Sequence, residues 1–139
     1  GNFARTMLKL AAERDRLKVI ADQVGAPTGA ELLADVTAHA VRRVQAEPGL
    51  AGSYHCVAGG ETNWFDYARF VIEWARAQGQ AIRVAPDAIQ PIPTSAYPTP
   101  AARPLNSRLA THKLQQAFGL TLPHWQTGVE RMLAEILDR

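Results

Sequence analysis

Proline placement constrains this chain more than any other feature of its sequence. Six of the nine prolines, at positions 86, 91, 93, 98, 100 and 104, fall within the 24 residues from Ile82 to Leu105. Each fixes φ, removes a backbone donor and pushes the preceding residue out of the helical region. The stretch therefore reads as a long irregular loop. A connection of this length inside a compact domain is either a linker or a functional loop. Helical patterns lie on both sides of it, which argues against a disordered tail.

Upstream of the loop, Phe3, Met7, Leu8, Leu10 and Ala11 recur at helical spacing before the charged run Glu13-Arg14-Asp15-Arg16, so the first fourteen residues are expected to be helical. Leu17-Lys18-Val19-Ile20 is a short strand candidate, and Gly25-Ala26-Pro27-Thr28 is a turn. Thr28 and Glu31 have the spacing of a capping box, with the threonine hydroxyl on the third helical N–H and Glu31 reaching back. The helix they open has Leu32, Leu33, Val36, Ala40, Val41 and Val44 as its expected buried stripe and closes at Pro48-Gly49. Tyr54-His55-Cys56-Val57-Ala58 reads as a buried strand ending at Gly59-Gly60. From Thr62 to Gln78 the period is helical again, carried by Trp64, Phe65, Ala68, Phe70, Val71, Trp74 and Ala75, with Thr62 as N-cap and Gly79 as the stop. Downstream of the prolines, Thr111 caps His112 to Phe118 with Gly119 as terminator, and Pro123 occupies the first helical position of a segment through Leu137.

A chain of 139 residues suits one compact domain. The pattern predicts a mixed α/β fragment of about five helices and three or four short strands. That is too few strands for a doubly wound sheet, so some are expected to complete a sheet whose other strands lie elsewhere. Gly1-Asn2-Phe3 leads directly into a helical pattern without a start methionine or the apolar core of a signal peptide, as expected for a piece of something longer. No apolar run approaches the roughly 18 residues needed to span a bilayer, so no membrane is implied. The net charge is +2, from 15 Lys and Arg against 13 Asp and Glu, and no basic stripe with interleaved aromatics points to nucleic acid. A single cysteine, Cys56, excludes an intrachain disulfide and multi-cysteine metal sites, and it suits a reducing compartment; the cytoplasm is the expected location.

Trp64 and Trp74 share a predicted helical face with Phe70 and Val71 and are read as core packing, as is Trp125 on the last helix. His55, in an apolar strand, is expected to be a hydrogen-bonded core histidine. His39, His112 and His124 show no metal-ligand spacing.

An ordered set of stretches runs along nearly the whole chain: Gly1-Asn2-Phe3 with Thr6-Met7-Leu8, Asp22 through Leu32, and Tyr54-His55 with Gly60-Glu61-Thr62-Asn63-Trp64. It continues with Pro93 through Ala101, Arg103-Pro104-Leu105-Asn106-Ser107-Arg108-Leu109, and Leu122-Pro123 with Trp125. In this set the chain resembles the C-terminal, substrate-side portion of the dTDP-4-dehydrorhamnose reductases, extended members of the short-chain dehydrogenase/reductase superfamily. The resemblance implies an incomplete Rossmann-like fold, with residues 1–60 adding strands and helices to its sheet and residues 61–139 forming a helical and loop substrate-binding part. It implies NADPH-dependent reduction of the 4-keto group of dTDP-6-deoxy-L-lyxo-4-hexulose to dTDP-L-rhamnose, a bacterial cell-envelope sugar donor.

The family's glycine-rich phosphate loop is not among these residues. Nor is its catalytic tyrosine with a lysine four residues on, since Ala58, Val71 and Ala101 follow Tyr54, Tyr67 and Tyr97 at that spacing. The chain alone is therefore expected to be inactive, with no catalytic and no NADPH-binding residue of its own.

By resemblance, Asn2, Phe3, Gln23, Pro27 and Thr28 face the sugar-nucleotide cleft, with Arg103 and Asn106 in the loop that covers it. An arginine fork suits a diphosphate, while a solvated surface arginine is the competing reading of Arg103. Thr28 is also explained by its cap, and Gln23 by a backbone group near the turn. The resemblance further implies magnesium held between subunits of a homodimer, at positions matching Glu31 and Glu135. Capping and an ordinary surface helix account for these two glutamates equally well, and a complete site would need a carboxylate from the missing half. Two other readings of the same fold remain: a non-enzymatic partner-binding subunit of the methionine adenosyltransferase regulatory type, and another sugar-nucleotide epimerase or reductase.

Overall fold

A computed structural model describes residues 2–97 and 100–137. Gly1, Pro98 and Thr99, which belong to the stretches carrying the resemblance, lie outside the described residues.

The first helix, α1 (Phe3–Glu13), starts where Asn2 Oδ1 accepts the Arg5 N–H at 2.9 Å, and it buries Ala4, Met7 and Ala11. Strand β1 (Leu17–Ile20) follows, with Leu17 and Val19 buried and Lys18 exposed. Next come β2 (Val24–Gly25), α2 (Ala30–Ala46), β3 (Thr62–Asn63), α3 (Trp64–Ala77), β4 (Ile89–Ile92), α4 (His112–Phe118) and α5 (Trp125–Leu137).

Strand β1 pairs in parallel with β4, Leu17 opposite Ile89 and Ile20 opposite Ile92. This corrects the expectation of an irregular loop from Ile82 to Leu105. Pro91 sits inside β4, opposite Val19. Among the described residues strand β4 has β1 as its one neighbour, and an edge strand accepts proline where its nitrogen faces away from the ladder. Short 3₁₀ turns, Pro86–Ala88 and Thr94–Ala96, flank the strand. A parallel pair requires a long crossover, and α3 lies within it.

Helix α3 is central. Ala68, Val71, Ile72 and Ala75 have no exposed surface. Ala68 and Ile72 pack with Met7, Ala11, Leu17, Val19, Val84 and Ile89. Tyr67 and Val71 face Ala4, Ala58, Trp125, Val129 and Leu133. The cap of α3 is Asn63 rather than Thr62: Asn63 Oδ1 accepts the Asp66 N–H at 2.8 Å, and its amide donates to the Asp66 carboxylate at 2.7 Å. Thr62 is occupied by pairing with Gly25 in the β2–β3 ladder. Gly79, at φ +78°, lets the chain turn away from the helix end.

Five further expectations need correction. Thr28 does not cap α2; Gly29 does, without a side-chain bond. The Thr28 hydroxyl donates to the Ala26 carbonyl and accepts the Ala58 N–H, both at 3.1 Å, so it ties two loops together. The buried stripe of α2 is narrower than its apolar period. Val36 is buried and Leu32, Ala40 and Val44 pack beside it against Leu114, Phe118 and Leu122, whereas Leu33 and Val41 are 40% and 51% exposed. Pro123 precedes α5 by two residues, because its carbonyl accepts the Gly59 N–H at 2.7 Å while Trp125 N–H donates to the Gly59 carbonyl at 2.9 Å.

Finally, Tyr54–Ala58 is not a strand. Within the described residues, no backbone group from Tyr54 to Val57 takes part in a backbone hydrogen bond, and without a ladder partner an extended stretch remains a coil. His55 is accordingly exposed rather than a core histidine. Among the described residues no helix is long and apolar enough to cross a membrane.

Candidate functional site

The short ladder of β2 and β3 places the candidate site. On its far side β2 also bonds the proline-rich connection: Val24 N–H donates to the Leu105 carbonyl and Ser107 N–H to the Val24 carbonyl, both at 2.8 Å, with Asn106 bridging Val24. Beside this three-stranded junction opens a cleft of about 170 Å³, walled by Gly25 and Ala26, by residues 57–61, and by Ser107, Arg108, Leu109 and Thr111.

Two clamps fix the 57–61 wall. Thr28 holds Ala58 from one side. On the other, Gly59 exchanges backbone bonds with Pro123 and Trp125, and Gly60 adopts φ +77° with the His124 ring so close that an added Cβ would lie 2.1 Å from Nε2. Only glycine meets both demands at position 60.

Arg108 stands on the rim as a fork on Glu61, with Nε to Oε2 at 2.5 Å and Nη2 to Oε1 at 3.2 Å. Its own N–H donates to Asn106 Oδ1 at 3.1 Å, so Asn106 shapes the turn that presents it. The hydrogen bond from Arg108, reinforced by its charge, holds the Glu61 carboxyl below its ordinary range, and the bond to Glu61 raises the Arg108 guanidinium. Both side chains are about half exposed, so solvent screens the pair and it adds little to stability. What the pair provides is a guanidinium held in place beside an open cleft.

A second constellation lies at the other end of the ladder. The Asp22 carboxylate accepts the Thr94 N–H at 2.9 and 3.0 Å and the Thr94 hydroxyl at 2.6 Å. These hydroxyl and backbone bonds lower the Asp22 pKa. Thr94 Oγ1 in turn accepts from the Gln23 amide at 3.0 Å, and Gln23 Oε1 accepts the Trp64 indole N–H at 3.0 Å. The Trp64 ring leans on Phe3, with centroids 4.7 Å apart, while Phe3 stacks on Tyr67 at 5.1 Å. Trp64 is nevertheless 41% exposed. This corrects its reading as core packing, because the indole N–H requires a polar partner and finds it in Gln23 at the surface. Trp125, by contrast, is buried as expected.

Of the residues expected at the site, Phe3 and Gln23 meet through Trp64, while Pro27 and Thr28 lead from the cleft wall into α2. Gln23 bonds two side chains rather than a backbone group. Asn106 lies beside the cleft residues Ser107 and Arg108. Arg103 is exposed and makes no hydrogen bond or ion pair among the described residues. Asn2 is engaged elsewhere, capping α1 and donating to Met132 Sδ at 3.3 Å. Arg108, Glu61 and Trp64 lie in the stretches carrying the resemblance, but no local pattern marks the pairing of residues 47 positions apart.

Tyr67 is buried, which pushes its phenol pKa up; Tyr54 donates to the Leu50 carbonyl at 2.7 Å; Tyr97 is exposed. Among the described residues no three His, Cys, Asp or Glu side chains are grouped to hold a metal. Glu31 is exposed in the first turn of α2, and Glu135 is exposed beside Arg131 at 3.6 Å. These glutamates do not by themselves make a magnesium site; ligands from outside this chain would be needed.

Comparison with known proteins extends these observations. The chain is 61% identical over 135 residues to the dTDP-4-dehydrorhamnose reductase of Shigella flexneri, a match covering 97% of this chain and 44% of that protein. Its fold superimposes on a crystal structure of a dTDP-4-dehydrorhamnose reductase from Clostridium acetobutylicum with a TM-score of 0.78 at 32% identity, covering 100% of this chain and 45% of the other. A Bacillus anthracis dTDP-4-dehydrorhamnose reductase solved in complex with NADP matches with the same TM-score at 30% identity, covering 97% and 43%. The chain thus spans less than half the length of these relatives. A family model described as the RmlD substrate binding domain matches residues 1–137, and the chain belongs to that family.

Proposed function

We propose that this chain forms the sugar-nucleotide side of a dTDP-4-dehydrorhamnose reductase, whose NADPH site and catalytic tyrosine–lysine pair lie in a part of the polypeptide outside residues 1–139. The observation that carries this reading is the 61% identity to the Shigella enzyme, sustained over 97% of the chain. The reaction is reduction of the 4-keto group of a dTDP-6-deoxy-hexulose to give dTDP-L-rhamnose. Bound NADPH supplies the hydride.

The residues of this chain bind and orient. Gly25, Gly59 and Gly60 are among the residues that line the cleft, and at these positions there is no side chain between a ligand and the main chain. Arg108 presents a guanidinium on its rim, and Arg103, exposed and without a hydrogen bond or ion pair among the described residues, is available to bind the same anion. Thr28 and Asn106 hold the two walls at their spacing. Residues 1–60, joined by β4 through its pairing with β1, supply part of a sheet completed by strands outside this chain, and the rest of residues 61–139 forms the substrate-binding part. The setting is the cytoplasm. The assembly is a homodimer, in which Glu31 and Glu135 would supply carboxylates to a magnesium ion whose remaining ligands would come from outside this chain.

The test is NADPH oxidation with the dTDP-4-keto-sugar, comparing these 139 residues with the longer polypeptide that includes the tyrosine–lysine motif. Turnover by the longer polypeptide alone is the expected result. Turnover by neither, with the longer form folded and binding NADPH, would overturn the reading.

A further inference from the structure

The relay from Asp22 to Trp64 has no place in the binding roles described so far, and it does something specific. Gln23 uses both ends of its amide internally, donating to Thr94 Oγ1 and accepting from Trp64 Nε1, each at 3.0 Å. Thr94 is fixed in turn by three contacts with the Asp22 carboxylate. The relay therefore ends on an indole rather than on open solvent. A tryptophan N–H could be satisfied by water at this surface without a relay of four side chains. What the relay adds is orientation: the indole is tethered at Nε1 by Gln23 and packed against Phe3, which is itself stacked on Tyr67. The ring is 41% exposed all the same. An aromatic ring that is both fixed and exposed loses little conformational freedom when a flat or apolar ring face is laid on it.

Its location fits a ligand that begins in the cleft. Glu61 lines that cleft, and Trp64 follows it by three residues along the β3 segment, about 10 Å of extended backbone. A sugar nucleotide with its diphosphate at Arg108 has ring systems on either side of the anion, one of which can reach Trp64.

We infer that Trp64 is the surface on which a ring of the sugar nucleotide, thymine or hexose, stacks, and that Gln23 is a positioning residue acting through Trp64 rather than on the ligand. This rests on the reductase reading.

The experiment uses the full-length enzyme, with steady-state kinetics on the dTDP-4-keto-sugar and equilibrium binding of dTDP alone. Trp64→Ala is expected to raise KM about tenfold with a much smaller change in kcat, the scale of one lost stacking contact. Trp64→Phe, which keeps a ring face, recovers most of that loss and so separates stacking from folding. A parallel loss of dTDP affinity identifies thymine as the stacked ring; unchanged dTDP affinity identifies the hexose. Gln23→Met is expected to raise KM roughly threefold in the native background and to have no effect in the Trp64→Ala background, the non-additivity of a residue that works through another. A Trp64→Ala enzyme with native KM and native dTDP affinity would overturn the stacking role, and additive effects of the two substitutions would overturn the positioning role. A folded wild-type enzyme that binds no dTDP compound would instead refute the reductase reading, and with it this one.

Discussion

Strand β1 and the stretch from Tyr54 to Ala58 are two short apolar segments with opposite fates. Leu17–Ile20 finds a parallel partner in Ile89–Ile92 and is covered by α3. Tyr54–Ala58 is as apolar, yet no backbone group from Tyr54 to Val57 has a ladder bond among the described residues. The same contrast appears in the helices: α3 buries Val71, Ile72 and Ala75 fully, whereas α2 leaves Leu33 and Val41 exposed. Apolar character proposes an element, and a partner of the right geometry decides it. The β1–α3–β4 region is closed on itself, and the α2 and Tyr54–Ala58 region is open.

The largest test of that contrast is Ile72→Ala, which removes a fully buried side chain from the closed region and is expected to cost roughly 3–4 kcal/mol in urea unfolding. A loss below about 1 kcal/mol would show that region to be less tightly packed than it is described. Gly60→Ala should follow, at about 2–3 kcal/mol, because alanine resists positive φ and its Cβ meets the His124 ring. Adding His124→Ala should recover the steric part only. Leu33→Ala, in the open region, should change the stability of this chain by less than about 0.5 kcal/mol. A larger effect in the longer polypeptide would mean that its remaining part covers this face.

The smallest effect expected is on acid stability. The folded-state pKa of Asp22 is depressed by its bonds to Thr94, so its stabilisation is complete above the ordinary carboxylate value near 3.8 and fades as pH falls through the lower folded value. Asp22→Asn should flatten the unfolding profile in that acid window and leave the neutral-pH slope unchanged. A change in slope near neutrality would assign the effect to another group.

Local pattern made part of this molecule legible. The periods of α1 and α3, the alternation in β1 and the glycine at the end of α3 were readable because each depends on neighbours in sequence. Strand β4 was hidden because its prolines argue locally for a loop, while its pairing with β1 is settled some seventy residues away. Thr28 and Trp64 were misassigned for a related reason: each has a plausible local role, cap or core, that is displaced by a distant partner, Ala58 in one case and Gln23 in the other. At the candidate site the family resemblance named Gln23, Thr28 and Asn106, but Arg108 on Glu61 and the Asp22–Thr94–Gln23 relay emerge only once the β2–β3 ladder brings them together.

Whether residues 25–28, 57–61 and 105–111 hold a sugar nucleotide can be measured most directly by hydrogen exchange on the longer polypeptide, with and without dTDP-L-rhamnose. Slower exchange in those three segments, with β1 and β4 unchanged, is the expected result. Ligand-dependent protection confined to other parts of the polypeptide would contradict the assignment of the sugar-nucleotide site to this chain.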